Sequence, residues 1–142
     1  MALLGIDIGG TKMAMAIFDE QGKIVFRETF LWSQFKDMAI GDIISFKSKA
    51  FLDNKEFGEI TGVGICVPGI YRLQSGTVWA PNIPGWDDYP LLNSVKKISG
   101  ETPVAIDSDR ACYILGESWQ GNTVGCKDAI YLAVGTGIGA GI

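Results

Sequence analysis

The sequence predicts an α/β protein built on a mixed β-sheet that opens with a three-stranded β-meander. Short apolar or alternating segments separated by glycine turns come first, which is typical of antiparallel strands. Segments with helical spacing then alternate with short apolar runs, which favours parallel strands joined by crossover helices. The 142 residues contain no repeat, linker or low-complexity tract, so one domain is expected.

The meander occupies the N-terminal part of the chain. The apolar run Leu3–Ile8 predicts a buried first strand, and Lys12–Asp19 predicts a second strand after a turn. Ile24–Leu31 is rich in strand-forming residues and predicts a third strand after the turn at Gln21-Gly22. The buried side of the second strand is predicted to consist of Met13, Met15 and Ile17.

The spacing of apolar residues then becomes helical. The stripe Ile40, Ile43, Ile44 and Phe51 predicts a first helix. Gly62–Val67 predicts a buried strand that stops at Pro68-Gly69, and residues 77–84 are predicted to be irregular or extended.

A second helix is predicted to begin at Asp87 or Asp88. A side-chain acceptor there would cap the helix, Pro90 suits its first turn, and Gly100 would end it. Its buried face is predicted to consist of Leu91, Leu92, Val95 and Ile98.

The last predicted elements are a strand over 103–107, a helix over 109–119 and a strand over 129–134. The final strand leads into the glycine-rich sequence GTGIGAGI. The buried face of the third helix is predicted to consist of Ala111, Cys112, Leu115 and Trp119.

Composition excludes several classes of function. The chain has no His, which excludes a Ser-His-Asp triad and a His metal ligand. Its net charge of −4 argues against nonspecific nucleic-acid binding. Cys66, Cys112 and Cys126 have no CxxC spacing, so neither a zinc site nor a disulfide framework is indicated, and a reduced, cytoplasmic compartment fits best. No apolar run approaches the length of a membrane span.

The first glycine loop carries the groups that phosphoryl transfer needs. Gly9 and Gly10 predict a tight turn whose backbone N–H groups can bind phosphate, while Thr11 adds a hydroxyl and Lys12 a cation. Asp7, at the preceding strand end, is suited to Mg²⁺ held through water. A P-loop is rejected because Thr precedes Lys and no helix follows. An ordinary hairpin with glycine in its turn remains an equal alternative from these residues alone.

The second loop has two interpretations. Gly135, Gly137 and Ala140 satisfy the dinucleotide fingerprint GxGxx(G/A), and Thr136 lies between the first two. The alternative is a second phosphate-binding hairpin. Two such loops at strand ends could each hold one side of a nucleotide's phosphates.

A candidate general base lies where the short strand 103–107 gives way to the third helix. Asp109, at a helix start, is favoured as an ionised carboxylate and can accept a proton from an attacking hydroxyl. The simpler interpretation is that Asp109 or Ser108 only caps the helix. Asn82 lies in a Pro- and Trp-containing segment that suits either a sugar site or a packed loop.

These motifs together resemble the ROK family of sugar kinases and sugar-responsive repressors, from residue 3 to the end. The motifs that carry the resemblance are Asp7-Ile8-Gly9-Gly10-Thr11-Lys12, Val67-Pro68-Gly69, Pro81-Asn82-Ile83-Pro84-Gly85-Trp86, Asp107-Ser108-Asp109 with Leu115-Gly116-Glu117, and Gly135-Thr136-Gly137-Ile138-Gly139. The resemblance implies an actin-like, ribonuclease-H-like ATPase lobe that uses ATP and Mg²⁺ to phosphorylate a hexose. It also favours phosphate hairpins over a dinucleotide turn.

The resemblance implies a role for each matched residue. Asp109 would be the catalytic base, and Gly69, Asn82 and Ser108 would lie near the sugar. Asp7 would organise Mg²⁺. The two phosphate loops would consist of Gly9, Gly10, Thr11 and Lys12, and of Gly135, Thr136 and Gly137.

Two departures bear on the identity of the sugar. Ser108 stands where the family usually has Asn, and Arg110 stands where it usually has a small residue. The family also continues for about as long again, so we expect residues 1–142 to be an N-terminal lobe without its C-terminal lobe, inactive alone. A sugar and a nucleotide are the expected partners, with homodimer formation left open. A first strand at Leu3 leaves no room for the DNA-binding segment of the repressors, which favours a kinase.

Overall fold

The computed structural model describes residues 1–134 and 138–142 and confirms an α/β fold on a mixed sheet. The five-stranded sheet has the order β3-β2-β1-β4-β7, and two separate hairpins pair β5 with β6 and β8 with β9. The strands are β1 (Ala2–Ile8), β2 (Lys12–Phe18), β3 (Ile24–Leu31), β4 (Ile60–Val67), β5 (Ile70–Arg72), β6 (Thr77–Trp79), β7 (Val104–Ser108), β8 (Tyr131–Val134) and β9 (Ile138–Gly141). The helices are α1 (Ile40–Asp53), α2 (Leu91–Ser99) and α3 (Asp109–Gln120).

The predicted meander is confirmed in its strands and in its turns. β1 pairs antiparallel with β2, and β2 pairs antiparallel with β3. The turn before β3 has Gly22 at a φ of 77°, a conformation that favours glycine. The predicted inward side of β2 is also confirmed, because Met13, Met15 and Ile17 are fully buried.

The two faces of the large sheet differ in side-chain size. On one face, alternate residues of β1 such as Leu4 and Ile8 pack with Ile44 of α1 and Val95 of α2 to form the core. Burying each such aliphatic side chain contributes roughly 1.5–3 kcal/mol. The opposite face carries mostly small side chains and borders an open groove of about 820 Å³ beside α3.

The predicted buried face of α3 is wrong. Only Ile114 of this helix is buried, whereas Leu115 is 61% exposed and Trp119 is 57% exposed. The helical spacing identified the apolar side of α3 correctly, but that side faces the open groove. The sheet beneath the groove presents small residues such as Gly5 and Gly64. Their side chains are too short to pack against the apolar side of α3.

The predicted cap of α2 is also wrong. The residue at the N-terminus of the helix is Pro90, and no side chain caps it. Asp88 instead pairs with Arg72 and accepts a hydrogen bond from Thr77, both at 2.6 Å. The carboxylate therefore fixes the β5–β6 hairpin, which the sequence did not predict, because a charged partner and a hydroxyl compete successfully with the helix end.

The segment after β6 is packed as a loop around an indole. Trp86 is 3% exposed and stacks on Tyr89 with 4.5 Å between the ring centres. The interpretation of this segment as a loop with a buried Trp is confirmed. Ile83 is buried in the same turn, so the loop around Asn82 has a fixed position.

A strand, not a helix, follows the second glycine loop. β8 pairs antiparallel with β9 in the register Val134 to Ile138. A dinucleotide turn requires a helix at this point, so this pairing favours the hairpin alternative. Gly135, Thr136 and Gly137, which were predicted to bind phosphate, lie outside the described residues. No described helix is both long and apolar enough to cross a membrane.

Candidate functional site

The first glycine loop is held by three hydrogen bonds that form a small frame. The Gly9 amide donates to the Lys12 carbonyl at 2.8 Å, which closes the turn between β1 and β2. The Trp32 indole N–H donates to the Gly9 carbonyl at 2.9 Å, and the Trp32 amide donates to the Thr11 carbonyl at 3.1 Å. Gly10, Thr11 and Lys12 are exposed.

Sequence reasoning missed Trp32, which supports the first glycine loop through two hydrogen bonds. It lies just after β3, at Trp32–Gln34, in a short 3₁₀ turn. Its position beside the loop depends on the pairing of Lys12 with Leu31 across β2 and β3. The only available signal was an aromatic donor placed directly after the third strand.

Asp7 belongs to a row of polar side chains across three parallel strands. Asp7 of β1 pairs with Cys66 of β4, and Cys66 pairs with Asp107 of β7. The Cys66 thiol donates to Asp7 Oδ1 at 3.3 Å. The row lies on the small-residue face, because these positions alternate with the buried Ile6, Ile65 and Ile106.

The exposed Asp7 carboxylate fits Mg²⁺ held mainly by water and substrate phosphates. Mg²⁺ is commonly bound through one or two carboxylates with several waters retained. Among the described residues, no group of three or more Cys, Asp or Glu side chains is arranged to hold a metal ion. A dedicated all-protein cage is therefore not formed by the part of the chain that the structure shows.

Ser108, and not Asp109, caps α3. The Ser108 hydroxyl oxygen accepts a hydrogen bond from the Ala111 amide at 3.3 Å. Asp109 Oδ1 accepts from the Arg110 amide at 2.8 Å and lies 3.6 Å from Arg110 Nε. Because Ser108 caps the N-terminus of α3, the second carboxylate oxygen of Asp109 is not needed for that cap.

A cavity of about 470 Å³ brings several predicted residues together. Asn82 lines it from the loop after β6 and Asp109 from the start of α3, together with Pro68, Arg110 and residues of the β8–β9 hairpin. A Cβ at Gly10 would lie 3.4 Å from the Asn82 side chain, so the first glycine loop adjoins the same cavity. The described structure thus brings together the candidate base Asp109, the candidate sugar-binding residue Asn82 and the first glycine loop.

Gly69 and Ser108 do not line this cavity. Gly69 is buried against the backbone of Trp79 and Ala80, where a Cβ would collide with the Trp79 carbonyl oxygen. The neighbouring Pro68 lines the cavity instead. Gly69 therefore permits the close approach of two loops, and a direct contact with sugar stays a prediction for both residues.

Arg110 seats the β8–β9 hairpin on the first turn of α3. A Cβ at Gly139 would lie 2.9 Å from the Arg110 side chain, and one at Gly141 would collide with the Arg110 carbonyl oxygen. The two glycines therefore allow the strand to lie directly on the helix. This contact brings the hairpin, whose loop is predicted to bind phosphate, beside Asp109.

The Tyr113 hydroxyl of α3 has a raised pKa in the folded chain. Burial, followed by the negative charges of nearby groups such as Asp7 and Asp109, raises the pKa of Tyr113 to about 12. The Tyr131 ring lies 5.2 Å from that of Tyr113 and adds to the effect.

Comparison with known proteins identifies the family. The model of the ROK family matches residues 3–142, so the chain belongs to the ROK family. A glucokinase of Thermotoga maritima is 32% identical, with 100% of this chain and 44% of that protein covered. A xylose repressor of Caldicellulosiruptor bescii is 34% identical, with 99% of this chain and 36% of that protein covered.

Solved structures agree with this assignment. The ROK hexokinase of Thermus thermophilus matches with a TM-score of 0.82 and 27% identity, covering 99% of this chain and 46% of that one. A ROK family glucokinase of Streptomyces griseus, in complex with glucose and AMPPNP, matches with a TM-score of 0.78 and 30% identity, covering 99% and 43%. The chain has the actin-like ATPase fold, and it spans less than half the length of these relatives.

Proposed function

We propose that the protein is the N-terminal lobe of an ATP-dependent sugar kinase that phosphorylates a hexose or hexose derivative. The observation that carries this proposal is the single cavity lined by Asp109 and Asn82, with the first glycine loop beside it. The similarity to glucokinases supports the same reaction class. Free cysteines and the need for ATP favour a cytoplasmic location.

Asp109 is the general base in this proposal. Its carboxylate accepts the proton of the sugar hydroxyl as the oxygen attacks the γ-phosphoryl group. The N-terminus of α3 and the Arg110 guanidinium at 3.6 Å both favour negative charge at this position. Asn82 offers two donors and an acceptor, which suit the hydroxyls of a sugar held in the cavity.

The loop over residues 9–12 supplies phosphate contacts. Its frame of hydrogen bonds, including that from Trp32, holds the backbone N–H groups in place before the ligand arrives, so little reorganisation is needed. Lys12 adds positive charge. Gly135, Thr136 and Gly137 are proposed to serve the opposite side of the phosphates.

Asp7 would hold Mg²⁺ through water, and Mg²⁺ when bound would neutralise charge on the transferring phosphates. The chain spans less than half the length of its relatives. We therefore expect little or no sugar phosphorylation from residues 1–142 alone, because positioning of both reactants would be incomplete.

The test is the substitution Asp109→Asn in the natural gene product that carries this sequence. We expect sugar-dependent release of ADP to fall by well over tenfold while ATP binding is nearly unchanged, because the general base is lost and the phosphate contacts remain. The control is Asp37→Asn, at an exposed carboxylate outside the cavity. Activity of the Asp109→Asn protein within tenfold of the unsubstituted protein would reject the assignment of the base.

A second candidate function is sugar sensing without catalysis, as in a transcriptional regulator. It is favoured by the 34% identity to a xylose repressor and by the departures at Ser108 and Arg110. A sugar that raises the melting temperature of the natural gene product but is never phosphorylated in the presence of ATP and Mg²⁺ would support this alternative over the kinase.

A further inference from the structure

We propose that Arg110 is a further catalytic residue of the site: its guanidinium binds the oxygens of the phosphoryl group while that group passes from the nucleotide to the sugar hydroxyl beside Asp109. This inference rests on the proposed kinase function and adds to it a cation next to the general base. Arg110 is the second residue of α3 and directly follows the candidate base.

Arg110 lies in the same cavity as the candidate base and the candidate sugar-binding residue. Its side chain lines the cavity of about 470 Å³ with Asp109 and Asn82. Of the residues that the structure shows lining this cavity, Arg110 alone is cationic. The side chain is 44% exposed, so an anionic ligand in the cavity can reach it without a rearrangement of the fold.

The guanidinium retains its hydrogen-bonding capacity. Arg110 Nε lies 3.6 Å from Asp109 Oδ1, a distance that suits an ion pair but is longer than a hydrogen bond. That oxygen accepts instead from the Arg110 amide at 2.8 Å. Within residues 1–134 and 138–142 the guanidinium makes no hydrogen bond. Its N–H donors form a planar fork that matches the oxygens of a phosphoryl group.

The aliphatic stem of Arg110 is held by the β8–β9 hairpin. A Cβ at Gly139 would lie 2.9 Å from Arg110 Cδ and 3.5 Å from its Cγ, so the stem packs directly on β9. The backbone of Arg110 is covered by the same strand at Gly141. The guanidinium is therefore confined beside Asp109, and less conformational freedom is lost when it binds an anion.

The reaction itself brings an anionic group to this position. A hydroxyl that gives its proton to Asp109 lies about 2.7 Å from the carboxylate, and the phosphorus that it attacks lies about 3–3.5 Å beyond the hydroxyl oxygen. The phosphoryl group is thus within about 6 Å of Asp109. Because Arg110 Nε is 3.6 Å from the same carboxylate, the guanidinium and the transferring group are neighbours at the moment of transfer.

The step balances without a proton transfer by Arg110. A bond forms between the sugar oxygen and the γ-phosphorus, and the bond from that phosphorus to the oxygen that bridges the last two phosphates breaks. The electron pair of the broken bond stays on the leaving ADP, and the proton of the sugar hydroxyl goes to Asp109. The guanidinium stays protonated and stabilises the charge on the oxygens of the transferring group.

The test measures steady-state kinetics of the natural gene product that carries this sequence, with ATP, Mg²⁺ and each of D-glucose, D-mannose and N-acetyl-D-glucosamine. Arg110→Gln keeps the side-chain carbons through Cδ that pack on Gly139 but removes the charge and the fork. We expect kcat to fall by about 100-fold. The KM of the sugar should change by less than about threefold, because the lost interaction is made only in the transition state.

The matched control is Arg27→Gln, which makes the same change at an exposed arginine of β3 outside the cavity. Its kcat should equal that of the unsubstituted protein. Circular dichroism and the melting temperature would verify that each variant is folded.

Chemical rescue separates a catalytic role from the packing of the hairpin. In Arg110→Ala, guanidinium chloride at millimolar concentration should raise kcat, because the free ion can enter the space that the side chain leaves. Urea, which is neutral and of similar shape, should not. A structural defect alone would not be relieved in this way, because guanidinium weakens folded proteins.

Three results would overturn the inference while the kinase proposal stands. They are a kcat of the Arg110→Gln protein within about tenfold of the unsubstituted protein, a raised KM of the sugar at unchanged kcat, and equal effects of guanidinium and urea on Arg110→Ala. All three require an active unsubstituted protein. If the unsubstituted protein phosphorylates none of the sugars, the kinase proposal fails and the role of Arg110 fails with it, so the two failures are distinguishable.

Discussion

The hydrogen bond from the Trp32 indole to the first glycine loop can be tested by Trp32→Phe. The substitution keeps an aromatic ring at a half-buried position but removes the N–H that donates to the Gly9 carbonyl at 2.9 Å. A hydrogen bond of this type contributes about 1 kcal/mol net. The free energy of unfolding should fall by that amount.

The shift in melting temperature follows from the size of the chain. An unfolding entropy of about 2.1 cal/mol/K per residue gives roughly 0.3 kcal/mol/K for the 142 residues. A loss of about 1 kcal/mol should therefore lower the melting temperature by about 3 °C.

Hydrogen exchange provides the local measurement. The Gly9 amide, which donates to the Lys12 carbonyl, should exchange about fivefold faster in Trp32→Phe if the loop opens more easily by about 1 kcal/mol. The control is Trp79→Phe, because Trp79 is 36% exposed and its indole makes no hydrogen bond among the described residues. An unchanged melting temperature together with unchanged exchange at Gly9 would refute the assigned role of Trp32.

Two further predictions concern α3. Ser108→Ala should lower the free energy of unfolding by about 1 kcal/mol, since it removes the acceptor for the Ala111 amide. Denaturant unfolding should show this loss. As a control, substitution of an exposed serine, Ser33→Ala, should change the free energy of unfolding by less than about 0.5 kcal/mol. Tyr113 has a pKa of about 12 in the folded chain against an ordinary value of 10.0. The folded chain therefore holds a proton that the unfolded chain releases between these values, so stability should fall as pH rises through this range. Tyr113→Phe should lessen that fall and remove the latest tyrosinate step from the absorbance titration, and a titration identical to that of the unsubstituted protein would contradict the assignment.

The strands were largely predictable from sequence because their signals are local. The inward alternation of Met13, Met15 and Ile17 needs only one buried face, and the glycine turns fix where each strand stops. The same locality explains the site: Asp7 and Asp109 each lie at a strand end, where parallel strands bring residues to one edge of the sheet.

The predictions for the cap of α2 and the buried face of α3 were wrong because residues distant in sequence determine the contacts of Asp88 and Trp119. Asp88 has the residue type and spacing of a helix cap, but Arg72 and Thr77 of the neighbouring hairpin bind it. Trp119 has the spacing of a core residue, but most of the sheet side chains opposite it are small, such as those of Gly5 and Gly64.

The support of α3 has a mechanical consequence for Asp109. At its start, the helix bears the β8–β9 hairpin through Arg110. Near its end, Gln120 donates to the Gln21 carbonyl at 3.2 Å, and the Trp119 ring lies against Gly22. Ile114, in the middle of the helix, is buried and packs beside Gly141. Asp109 therefore begins a helix of about 18 Å that is held at its start, its middle and its end.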